Sequence, residues 1–249
     1  MTAASNIKLY PWFKFFQSLF FWQAVWFLYF QDAVGPAEAI LLYVVYVIAT
    51  TALEVPSGYM SDKLGRRRTL VASAVCGTLG AFALFGGSGF WAFALGQALF
   101  GASAAFSAGT DSALLYESLA HEGRASETDA QELRAFRMSY SGSAISAVAG
   151  GGLAYLSPAL PFAITGLAYI VLIAIAWRLV EVPSVETTSH AHEHYTGTSW
   201  ALLVQAFKLP VLLWLFGLSV LMYGFGHVPF VFGQPFILQA LDALGLAAE

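Results

Sequence analysis

Seven mostly apolar stretches run through the chain, at 11–31, 37–60, 69–86, 89–119, 136–157, 159–179 and 207–232. Each is long enough for an α-helix to cross the roughly 30 Å of a bilayer's hydrocarbon core. Lipid offers no hydrogen bonds, so a spanning backbone must satisfy itself as a helix or as a closed barrel. Barrel strands would alternate apolar and polar residues, and these stretches do not. Composition agrees: 58% of residues are hydrophobic and 10% charged, against about 25% charged in an ordinary soluble domain. That surplus of apolar surface excludes a soluble enzyme and a disordered chain. The expected fold class is all-α, a polytopic membrane protein with lipid as its main partner. A net charge of −4 gives no basic excess, so nucleic acid is not an expected partner. Cys76 is the single cysteine, which leaves neither a disulfide framework nor a thiol metal site. The first stretch is too long for a signal-peptide core, so it reads as a retained helix.

Lysine and arginine set orientation, because they concentrate in cytoplasmic connections. All 11 fall on one side if the N-terminus is cytoplasmic. Lys8 and Lys14 precede or open the first span; Lys63, Arg66, Arg67 and Arg68 fill the second connection. Arg124, Arg134 and Arg137 occupy the fourth, and Arg178 and Lys208 flank the sixth. The outer connections at 32–36, 87–88 and 158, and the tail 233–249, contain no lysine or arginine. The polar segment 181–199 separates six spans from the seventh. The expected organisation is a six-helix bundle at 1–180, a cytoplasmic linker at 181–200, and the start of a second half at 201–249, read as cut short before an eighth helix.

The second span ends in LEVPSGYMSDKLGRRRTL, residues 53–70, with Gly58, Asp62, Lys63, Gly65, Arg66 and Arg67 spaced as G-x-x-x-D-K-x-G-R-R. This resembles the signature that the major facilitator superfamily carries between its second and third helices. SAGTDSALLYESL, residues 107–119, looks like the end of the fourth helix in a bacterial subgroup of the same superfamily. The resemblance implies the superfamily's N-terminal six-helix bundle plus one helix of the second half. It implies a secondary active transporter in the cytoplasmic membrane, moving a small solute by alternating access with an ion or proton as coupling partner. No cofactor is implied, and the remaining C-terminal half, or a second copy, would be required for function. The motif loop is implied to gate, by stabilising the outward-facing state. Gln23 and Trp26 become candidate substrate contacts, because the family's first helix lines its central cavity. Two departures weaken a proton-antiport reading: Gln97 stands ahead of Gly101 where many proton-driven members have arginine. Ser146 and Ala147 stand where drug/proton antiporters usually show a glycine–proline pair. The alternative is a membrane scaffold or sensor that keeps the fold without transporting.

The loop's chemistry is readable without the family. Gly58 allows close helix approach, Gly65 a turn with an unusual backbone angle, and Asp62 a pair with Arg66 across that turn. Glu54, Asp111 and Glu117 are acids within or near spans, where an ionised carboxylate costs several kcal/mol unless paired, hydrated or protonated. Asp111 and Glu54 are therefore candidate proton carriers, with Glu54 alternatively bracing the loop. Glu117 is a candidate partner for Arg66. Gly101, Ala105 and Gly109, and likewise Gly142, Ser146 and Gly150, recur every fourth residue and suggest close-packed helix faces. Tyr223 and His227 lie towards the outer end of the last span. His190, His192 and His194 alternate in the linker, a pattern weighed for weak metal binding and read as solvated. No G-x-x-x-x-G-K-[ST] loop is present, so no ATP-driven step is expected. No catalytic constellation appears either, so the chain does not read as an enzyme.

Overall fold

The computed structural model describes residues 2–183 and 209–244, with the side chains of 227–232 and 241–242 outside the description. Most of the linker, with His190, His192 and His194, lies outside the described residues, as does the His227 side chain. All described regular structure is helical: α1 Ala3–Gln17, α2 Trp26–Val34, α3 Pro36–Leu64, α4 Arg66–Gly86, α5 Gly89–Ser107, α6 Thr110–His121, α7 Thr128–Leu156, α8 Leu160–Arg178 and α9 Pro210–Ala243, with short 3₁₀ turns at Phe21–Ala24 and Ala125–Glu127. The chain divides into two units, Met1–Val185 and Glu186–Glu249.

In the first unit α5 packs along both α3 and α4, α4 along α8, and α1 along α7. Helices in lipid gain little from burying apolar surface against each other, so van der Waals fit does the work. The small-residue faces supply that fit. At Gly142 an added Cβ would sit 2.7 Å from the Phe15 carbonyl oxygen, at Gly150 it would overlap the Phe21 carbonyl, and at Gly101 it would meet the Tyr46 carbonyl oxygen at 2.7 Å. A core of Phe13, Leu70, Ala74, Leu114, Tyr169, Leu172, Ala176 and Leu179 ties α1, α4, α6 and α8 together.

Two expected spans are broken. The stretch 11–31 is not one helix: α1 stops at Gln17 and α2 begins at Trp26. The broken ladder is satisfied from outside. The Tyr169 hydroxyl donates to the Gln17 carbonyl at 3.1 Å, and the Phe21 amide donates to Thr165 Oγ1 at 3.1 Å. The stretch 89–119 breaks at Gly109, whose φ of +71° is costly for any side chain with a Cβ. Gly109 therefore ends one helix rather than extending the packing stripe of Gly101 and Ala105; an added Cβ there would touch nothing. By length and composition, four described segments can cross a membrane: Pro36–Leu64, Arg66–Gly86, Gly89–His121 and Leu160–Arg178. Of the seven expected stretches, 11–31 and 136–157 fall short on that measure, and 207–232 is tested only in its described part, Pro210–Gly226. The first span is split into two short helices, and α7 carries polar Arg134, Arg137 and several serines. In the second unit, α9 continues to Ala243, past the expected end at 232. Residues 233–243 are rich in Leu, Ala and Gln, which favour helix.

Candidate functional site

Gly65 is the pivot of the motif loop. Its φ of +103° and ψ of 151° fall in a region essentially reserved for glycine. The turn ends α3 and starts α4 one residue later, so the first α4 amides point, unpaired, towards the loop. Glu181 fills that position: the Arg66 amide donates to its Oε1 at 2.6 Å and the Arg67 amide to its Oε2 at 3.1 Å. A carboxylate at a helix N-terminus is favoured by the helix dipole as well as by these bonds. A Cβ on residue 65 would lie 2.6 Å from the same carboxylate, which would have to swing aside from the α4 amides. Arg67 reaches back to the Trp177 carbonyl at 2.8 Å, and its guanidinium lies 5.2 Å from the centre of the Trp177 ring. The end of α8 is thereby fastened to the start of α4.

Arg66 is the hub of the arrangement. Its Nη2 and Nε donate to Glu117 Oε1 at 3.1 and 3.3 Å, and its Nη1 donates to Ser61 Oγ at 2.9 Å. The same Nη1 lies 3.0 Å from Asp62 Oδ1. One guanidinium thus holds α3 and α6 to α4, using the planar fork that lysine lacks. Burial grades its two acids, because the Glu117 side chain is 7% exposed and that of Asp62 66%. The Glu117 contact is the one shielded from water, so it carries more of the attraction. These groups line an open cavity of about 660 Å³.

Other expected site residues fall elsewhere. A Cβ added at Gly58 would meet nothing within 4 Å among the described residues: the glycine lies on an exposed face of α3, so none of them makes the expected close approach there. Lys63 and Arg68 are exposed. Glu54 is also exposed and about 15 Å along α3 from Leu64; it does not brace the loop. Trp26 is 1% exposed and enclosed by the rings of Phe27, Phe30 and Tyr43, a packing position rather than a contact surface. Gln23 is half-buried in the 3₁₀ turn between α1 and α2.

Asp111 has a partner that the sequence marks only as a topology signal. Lys14 Nζ donates to Asp111 Oδ2 at 2.7 Å, with side chains 20% and 10% exposed. The other oxygen accepts the Ser112 amide at 2.7 Å. This follows from the break at Gly109, which places the start of α6, with its free amides, beside Asp111. A further link escaped the sequence reading. The Asn6 side-chain amide donates to Ser118 Oγ and to the Val180 carbonyl, both at 2.9 Å, while its oxygen accepts the Val180 amide at 2.8 Å. The signal for Lys14 was available, since a lysine inside an apolar span needs a counter-charge. For Glu181 and Asn6 no spacing rule connects residues more than a hundred positions from their partners.

No curated protein matches the chain. The family model described as Major Facilitator Superfamily matches residues 12–247, covering the broken first span, the clasp around Arg66 and α9. The chain therefore belongs to the Major Facilitator Superfamily of membrane transporters.

Proposed function

We propose that the chain is a secondary active transporter that carries a small solute across the cytoplasmic membrane by alternating access, with the Arg66 clasp as its cytoplasmic gate. The observation that supports this most is Arg66 binding Glu117, Asp62 and Ser61 at once. It fastens three helices through charge contacts at one end of the bundle, while small-residue faces allow helices to slide. Ion pairs suit such a gate because their strength depends on whether water enters, so opening the end weakens the lock that held it shut. The cytoplasmic placement rests on the one-sided lysines and arginines. Lys14–Asp111 is the proposed coupling pair, and Gln23 is retained as a proposed solute contact. Glu54, exposed at membrane depth, is the second coupling candidate.

The test separates gating from folding. Asp62 is largely exposed, so its pair with Arg66 adds little to stability. Asp62→Asn should lower uptake of a panel of small organic solutes into vesicles by about three- to fivefold, with membrane abundance unchanged. Equal losses of uptake and abundance would leave the clasp a folding role only.

A further inference from the structure

A second cavity, of about 220 Å³, lies among Tyr10, Lys14, Asp111, Ser112, Glu132, Ala135 and Phe136. It is bounded by α1, α6 and α7, apart from the Arg66 clasp. Its charges do not balance. Lys14 neutralises Asp111, while Glu132 has no hydrogen bond or ion pair with any described residue and is half-buried. Among the lining side chains one negative charge is left over, which attracts a cation into the cavity. Tyr10 is within electrostatic reach of both carboxylates, and Phe136 adds a second aromatic wall; aromatic faces attract cations. The volume is just below the usual range for small-molecule pockets, so it suits a compact molecule rather than a bare proton.

We propose that this cavity binds a small organic monocation of the ammonium class, its charged nitrogen on Glu132 and its apolar part against Tyr10 and Phe136. Lys14 keeps Asp111 neutralised, so the site takes one positive charge and no more. The assignment rests on the transporter reading for its role as a solute site, but the binding stands or falls by itself.

The experiment titrates the purified 249-residue chain in lipid nanodiscs with phenethylammonium chloride, against phenylacetate and sodium chloride as controls. Saturable binding of phenethylammonium, none of phenylacetate, and about tenfold or greater weakening in Glu132→Gln would support the site. Glu132→Asp, which keeps the charge, should bind within a few-fold of the parent. Monodisperse elution and helical circular dichroism establish that each variant is folded. Absence of saturable binding to the folded chain, equal binding by Glu132→Gln, equal binding of phenylacetate, or full displacement by sodium would overturn the proposal. If binding fails while Asp62→Asn still lowers uptake of another solute, the transporter reading stands and only this cavity's assignment falls.

Discussion

Two of the ion-paired centres among the described residues of the first unit are built on opposite principles. At the clasp, Arg66 spreads its donors over Glu117, Asp62 and Ser61, while Glu181 takes the backbone amides beside it. At the cavity, Lys14 and Asp111 have each other, plus one amide from Ser112. The clasp is redundant, and part of it is wet. The cavity pair is single and largely buried. Redundant contacts lose strength in steps, whereas a lone buried pair fails all at once, because the survivor is left charged and unpartnered. The clasp is thus suited to opening and reclosing in steps, and the pair to switching as a unit when either partner changes its charge.

Removal of Lys14 should have the largest effect. Lys14→Met strands Asp111 and should cost about 3–5 kcal/mol of stability, read as a lowered unfolding midpoint in detergent. Adding Asp111→Asn should restore most of it. A small loss in the single variant would mean the pair is hydrated and the contrast is false. Next in size is Gly65→Ala, which forces a side chain into a backbone conformation reserved for glycine and should cost about 1–3 kcal/mol. Smaller still is Glu181→Gln. It keeps a hydrogen-bond acceptor at the α4 N-terminus and loses only charge, so thermal unfolding should register about 0.3–1 kcal/mol. If Glu181→Gln proved as damaging as Lys14→Met, the clasp would not be redundant.

The positions of the long helices were legible, because the expected stretches at 37–60, 69–86 and 159–179 lie within or nearly coincide with α3, α4 and α8. The motif loop was legible too: its residues are close in sequence, so Asp62 and Arg66 meet across one turn, as local spacing allows. What escaped were interruptions inside continuous apolar runs. Hydropathy stays high from Leu19 to Val25, yet the helix breaks there, since Thr165 and Tyr169 supply the backbone partners from a distant helix. The break at Gly109 had a local signal in Gly-Thr-Asp-Ser, a glycine followed by residues that favour helix starts. Contacts such as Lys14 with Asp111 depend on how the helices are brought together, which spacing along the chain does not encode.

The central claim, that the Arg66–Glu117 contact controls access, is tested most directly by cysteine labelling at Gln23. In a Cys76→Ala, Gln23→Cys background reconstituted in oriented vesicles, labelling by a membrane-impermeant thiol reagent is timed from each face, with and without Glu117→Gln. Loosening the clasp should speed labelling from the clasp side and slow it from the opposite side, each by about tenfold, as expected for losing a charged hydrogen bond of about 1.5 kcal/mol or more. Unchanged rates from both faces, in a variant that remains folded, would contradict the gate and favour a scaffold that keeps the fold without transporting.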